Sequence, residues 1–202
     1  MLDALVITRM QDETTRAWHQ TEDGTVLADE ADLYADNLIA IATAQHRANF
    51  DLWHEEDKAR DPSATDSQIA AVKHQIDKLN QQRNDLVEKL DTLLLSGLEE
   101  NSKAPLNSET PGLIIDRLSI LALRIFHTRE ESLRETATET HRIRNRERLA
   151  LLEEQRNDLA GCLDALWTDI LEGRRQFKLY RQMKMYNDPE LNPAIYSHKH
   201  QP

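Results

Sequence analysis

Ile69-Ala70-Ala71-Val72-Lys73-His74-Gln75-Ile76-Asp77-Lys78-Leu79-Asn80-Gln81-Gln82-Arg83-Asn84-Asp85-Leu86-Val87-Glu88-Lys89-Leu90-Asp91-Thr92-Leu93 decides the fold. Its apolar residues at 69, 72, 76, 79, 86, 90 and 93 advance by alternating threes and fours with one gap, the period of a helix that turns one face to a core. The gap falls at position 83, which is an arginine. Laid over itself with an offset of 73 residues, the chain shows a second copy. His54 meets His127, Ala64-Thr65 meets Ala137-Thr138, Gln82-Arg83-Asn84-Asp85 meets Gln155-Arg156-Asn157-Asp158, and Leu90-Asp91 meets Leu163-Asp164, without a gap. From 54 to 99 there are 14 identities in 46 pairs. Shared helix composition repeats leucines readily, but not a four-residue polar string, a histidine and an Ala-Thr pair at one offset, so duplication is the preferred explanation.

Each copy reads as helix, short turn, helix. A helix from about Asp32 to Arg60 ends at Asp61-Pro62-Ser63, because proline cannot continue the hydrogen-bond ladder, and the next starts near Asp66. In the second copy Thr110 is an N-cap with Pro111 at the first helical position, and the helix runs to about Arg134. After a turn at Thr136 to Thr140, a last helix is expected from about His141 towards Tyr186, with a bend near Gly173 and a stop at Asn187-Asp188-Pro189. Ser96 to Pro111 reads as a linking loop. The expected fold is all-α: a four-helix-bundle-like core from two duplicated αα-hairpins, with an extra N-terminal helix whose Trp18 can dock on it, and a C-terminal tail. We read one domain over 1–202, with repeats at 32–99 and 105–172 and an extension and tail at 173–202.

Composition agrees with long helices. Five glycines and six prolines are few, charged residues make up 30% and aromatics 5%. A chain of 202 residues can bury a core without staples. The single cysteine, Cys162, has no mate and is expected in the core, so neither a disulfide framework nor a cysteine-rich zinc site is indicated. No stretch has the length of a signal or a membrane span, which predicts a cytoplasmic protein. A net charge of −11 argues against general nucleic-acid binding. Phosphate loops of the Walker or Rossmann kind and a Gly-x-Ser-x-Gly elbow are absent, so nucleotide-hydrolase and serine-hydrolase readings lose their usual support.

The chemistry that remains is polar residues in apolar company. Arg83 interrupts one leucine seam, and Arg156 interrupts the equivalent series of Leu149, Leu152, Leu159, Leu163 and Leu166. A guanidinium keeps its charge at neutral pH, so an inward-facing one needs a carboxylate or a bound anion. Folding the second hairpin about its turn brings Asp116 level with Arg156, the first guess for a pair. The same folding brings Ser108, Glu109, Thr110 and Gly112, at a helix start whose free amides suit an anion, near Asn157 and Asp158. An internal ion-pair network and simple capping are the alternatives. Asn49, Trp53, Glu56 and Arg60 share one helix face. His54 with Asp57 and His127 with Glu130 each put an imidazole one turn from a carboxylate, which suits a metal or acid-base pair, although the Glu-x-x-His order of di-iron bundles is absent. No metal or cofactor is assigned on this ground. Arg174, Arg175, Lys178, Arg181 and Lys184, interleaved with Phe177, Tyr180 and Tyr186, form a basic stripe that fits a phosphate-bearing ligand, or merely a helix dipole.

Four polar strings carry a family resemblance: Asn49-x-x-Leu52-Trp53-x-x-Glu56-Asp57-x-Ala59-Arg60; Ile76-Asp77-x-x-Asn80-Gln81-x-Arg83-Asn84-Asp85; Ser108-Glu109-Thr110-Pro111-Gly112 followed by Asp116-Arg117-Leu118-Ser119-Ile120-Leu121; and Lys184-Met185-Tyr186-Asn187-Asp188-Pro189. Over about Ala31 to Tyr196 the chain resembles the bacterial domain-of-unknown-function family numbered 4254. The resemblance implies no activity, and only a loose association with envelope polysaccharide assembly. The expected function is therefore an anion-binding bundle for a sugar phosphate or nucleotide sugar. Arg83, Arg156 and Lys184 would hold the anion; Glu56, Asp57, Asp85, Asp116 and Asp158 would orient those cations or act as general base; Asn84, Ser108, Glu109, Thr110, Arg117 and Asn157 complete the candidate set, with Asn49, Trp53, Arg60 and His127 secondary. A non-catalytic adaptor or homodimeric scaffold for a glycosyltransferase is the rival, and a metal-dependent bundle enzyme using His54 and His127 a further one.

Overall fold

The computed structural model describes residues 2–20, 37–99, 101–179, 181 and 190–191. Among these residues it is all helical: α1 (Ala4–Gln20), α2 (Leu38–Ala59), α3 (Asp66–Ser96), α4 (Pro111–Leu133) and α5 (Glu139–Leu171). Helix starts follow local chemistry. Thr65 caps α3, accepting from the Gln68 amide while the Gln68 side chain reaches back, a reciprocal capping box. Its counterpart 73 positions on, Thr138, caps α5. Thr110 caps α4, with Pro111 in the first turn, where a missing N–H costs nothing. The start expected for α2 near Asp32 lies outside the described residues.

The end of α5 differs from expectation. Gly173 has φ +68°, a left-handed conformation, and the amides of Gly173 and Arg174 turn back onto the carbonyls of Ile170 and Asp169. That is a Schellman stop, not a bend, because the backbone reverses its twist at a residue with no Cβ to clash. Beyond it the chain is extended: Asn107 N donates to Gln176 O and Gln176 N to Pro105 O, and Phe177 enters the core at 2% exposure. Arg174, Arg175 and Lys178 therefore do not form a helical stripe. Tyr180, Lys184 and Tyr186 lie outside the described residues.

The contacts are most extensive within α2/α3 and within α4/α5, while α1 packs on α2, α4 and α5. Leu90, Ile115, Leu118 and Leu163 are fully buried at the centre, with Ile7 from α1 among them. The distal half of α3 packs less closely than its seam suggests, for Ile69 is 40% exposed. Cys162 is exposed rather than in the core, because it falls beside Leu163 and off the buried face of α5.

Equivalent positions do equivalent work. Asp91 of α3 accepts from the Gly112 amide at the start of α4 (2.7 Å), and Asp164 of α5 accepts from the Ala4 amide at the start of α1 (2.9 Å). Arg83 of α3 faces Asp116 on α4, and Arg156 of α5 faces Asp12 on α1. Helix α1 thus sits against α5 as α4 sits against α3.

Candidate functional site

A chain of polar side chains runs through the middle of the bundle. Thr15 of α1 meets His46 Nε2 of α2 at 2.8 Å, and His46 Nδ1 meets Ser119 Oγ of α4 at 2.7 Å. Asn49 Nδ2 donates to Ser119 Oγ and to Asp116 Oδ1, both at 2.9 Å, and Gln45 Nε2 also donates to Asp116 Oδ1. His46 and Gln45 are completely buried, and burial pushes the His46 imidazole down to about 3, so it is neutral and shares its two nitrogens between hydroxyls. His46 and Ser119 stand 73 residues apart, as do His54 and His127, whose rings lie 6.1 Å apart. Contact between counterparts places the seam where the two hairpins meet, as in a self-complementary interface.

At Asp116 the seam reaches a groove of about 370 Å³ between α2, α3 and α4. Asn49, Trp53, Glu56, Asp57, Arg60, Asn80, Arg83 and Arg124 supply its polar and aromatic lining. The face with steps of four, three and four on α2 is thus one wall, and Glu56 pairs with Arg60 at 2.9 Å on its rim. On the floor, Arg83 Nε stands 3.8 Å from Asp116 Oδ1, too far for a hydrogen bond, and that buried nitrogen has no hydrogen-bond partner among the described residues.

The remaining candidates divide among other surfaces. Arg156 does not pair with Asp116, as first guessed; its Nη1 lies 2.8 Å from Asp12 of α1, in a separate groove with Asn157. Hairpin arithmetic compares only levels along one helix pair, and α1 docks from outside that pair. Glu109, Arg117 and Asp158 share a third groove, of about 700 Å³, where Arg117 Nη1 donates to Glu109 at 2.8 Å. The start of α4 holds no free anion cradle: the Gly112 amide is bonded to Asp91 and the Thr110 hydroxyl caps Leu113, while Ser108 is exposed. Asp85 is exposed and bonded to Gln81, and Asn84 does not line the groove. Burial holds Asp91 up to about 6, against the hydrogen bonds from Thr110 and Gly112 that favour its charge.

Sequence reasoning did not find Asn80 and Arg124 in the groove, Gln45, His46 and Ser119 in the seam, or His19. A signal existed for the seam, since Gln45, His46 and Asn49 interrupt the apolar face of α2 as Arg83 interrupts that of α3. His19, His54 and His127 converge from α1, α2 and α4, with one nitrogen of each within 4.8 Å of the others. His127 Nδ1 contacts Glu130 at 3.1 Å, as its spacing predicts, whereas His54 bonds the Phe50 carbonyl rather than Asp57. Trp53 stacks on His127 with centroids 4.8 Å apart.

Fold and site together define a helical-bundle protein of two packed hairpins and a docked helix, whose polar seam opens into a charged groove. The chain belongs to the family described as Protein of unknown function (DUF4254), which matches residues 39–179, from α2 to the extended segment that carries Phe177. No curated protein and no solved structure matches it. No helix among the described residues is long and apolar enough to cross a membrane.

Proposed function

We propose that the groove between α2, α3 and α4 binds an anionic, hydroxyl-bearing ligand, with Arg83 as its anchor. One observation carries this reading: a half-buried guanidinium whose Nε has no hydrogen-bond partner among the described residues, on the floor of a groove lined by two of the family's polar strings. A buried donor left unpaired is costly, and an anion oxygen would satisfy it. Arg60 and Arg124 add positive charge, Asn80 offers an amide to hydroxyls, and Trp53 offers a ring face to a sugar or base. The family resemblance supplies the finer class, a sugar phosphate or nucleotide sugar of envelope polysaccharide assembly. The reading is of binding, and it assigns no reaction.

The test is the melting shift with inorganic phosphate, sugar phosphates and nucleotide sugars. The expected result is stabilisation of the wild type, lost in Arg83→Met and kept in Arg156→Met, with circular dichroism confirming that both variants fold. A shift that survives Arg83→Met, or none with any of these ligands, overturns it. The scaffold reading draws on Leu133, Ile143 and Leu151, exposed at 70%, 45% and 54% along the α4/α5 hairpin. It predicts that Leu151→Glu changes sedimentation but no ligand shift.

A further inference from the structure

The geometry points to a transition-metal site formed by His19, His54 and His127, three imidazoles from three helices. This rests on the histidine cluster and not on the anion reading. One nitrogen from each ring lies within 4.8 Å of the other two. Tetrahedral coordination at metal–nitrogen distances of about 2.0–2.1 Å puts ligand nitrogens about 3.4 Å apart, so modest ring rotations close the site.

The protonation pattern is set by the neighbours. His19 Nδ1 lies 2.7 Å from the Thr15 carbonyl and His54 Nδ1 lies 2.8 Å from the Phe50 carbonyl. A carbonyl only accepts, so each Nδ1 carries the proton and each Nε2 keeps a free lone pair. His127 Nδ1 is held the same way by the Glu130 carboxylate at 3.1 Å. All three rings thus make the outer hydrogen bond to a carbonyl or carboxylate that orients metal-binding histidines. Moreover, His19 Nε2 and His127 Nε2 are buried with no hydrogen-bond partner among the described residues. Two buried lone pairs with nothing to accept are what a cation would occupy.

Aromatic rings pack against the three imidazoles. Phe126 stacks on His19 at 4.2 Å, Trp53 stacks on His127 at 4.8 Å, and Phe50 lies against His19 and His54 at 4.8 and 4.3 Å. A ligand set of imidazole nitrogens favours zinc, copper, nickel or iron over magnesium and calcium. Trp53 is shared, stacking on His127 and lining the anion groove.

The experiment is cobalt(II) titration of untagged, chelator-treated protein, read by the visible absorption of tetrahedral cobalt, with zinc competition and metal analysis of the protein as purified. The expected result is one cobalt per chain, displaced by zinc, with affinity weakened at least about 100-fold in His54→Gln and in His127→Gln. His74→Ala, on the exposed face of α3, and the double variant His198→Ala/His200→Ala should leave binding unchanged, as should Arg83→Met, which separates this site from the anion groove. Should His127→Gln fail to fold, His19→Asn on the shorter α1 provides the same reading. Failure of the wild type to bind cobalt or zinc, or binding lost only in the 198/200 variant, overturns the proposal.

Discussion

At the scale of single residues, two buried ionisable groups give the stability of this protein opposing pH dependences. His46 is held at about 3, below its ordinary value of 6.5, so the unfolded chain takes up the proton first. Its contribution is complete above about pH 6.5 and is lost as pH falls towards 3. Asp91 is held at about 6, above its ordinary 3.8, so the folded chain takes up the proton first, and stability is gained as pH falls through 6 towards 3.8. Between pH 8 and pH 5 the histidine costs roughly 2 kcal/mol and the aspartate returns roughly 1 kcal/mol. Asp91→Asn should therefore lose roughly 1 kcal/mol more than wild type over that interval, measured by urea unfolding at both pH values. Equal losses would show that Asp91 does not titrate there. Gly112 is the other residue whose identity matters: a Cβ would lie 2.8 Å from Asp91 Oδ1 and 2.9 Å from the Val87 carbonyl. Backbone cannot step aside cheaply, so Gly112→Ala should destabilise by roughly 1–3 kcal/mol in the same assay.

At the scale of elements, the starts of the helices were legible and one end was not. Thr65, Thr110 and Thr138 each announce a helix by local chemistry, and Pro62 and Pro111 frame the breaks. The end of α5 was hidden because the apolar pattern continues to Phe177, and a glycine in a helical sequence reads equally as a bend or a stop. What decides it is tertiary: the chain must turn back so that Phe177 can enter the core beside the loop around Leu106. Two glycines should respond oppositely to substitution. Gly161 lies in α5 with nothing within 4 Å of an added Cβ, so Gly161→Ala should raise stability by up to about 1 kcal/mol. Gly173→Ala forces a side chain into φ +68° and should lower it by about 1 kcal/mol. Thermal unfolding of the two variants beside wild type tests both signs.

At the scale of the molecule, the repeat explains why each interior arginine has company and why sequence named the wrong partner for one of them. Arg83 and Arg156 occupy matching positions, and each faces a carboxylate on the helix that docks against its own hairpin, α4 in one case and α1 in the other. Spacing within a hairpin can bring Asp116 level with Arg156, but it carries no information about α1, which makes its contacts from far away in sequence. The same blindness hid His19, because a three-helix convergence leaves no pattern in any one helix. Of the two arginines that interrupt the leucine seams, Arg83 lines the groove between α2, α3 and α4, while Arg156 lies in a separate groove beside α1. The Asp12–Arg156 pair is largely shielded from solvent, with side chains 34% and 18% exposed, so a double-mutant cycle on Asp12→Asn and Arg156→Met should give a coupling of about 1–3 kcal/mol, with α1 remaining docked through Ile7 and Trp18. A crystal structure grown with saturating inorganic phosphate or a sugar phosphate tests the proposed groove most directly. The expected result is ligand density within hydrogen-bonding distance of Arg83 and against Trp53. Density only beside Arg156, or beside Arg117 and Asp158, with the Arg83 groove empty, would contradict it.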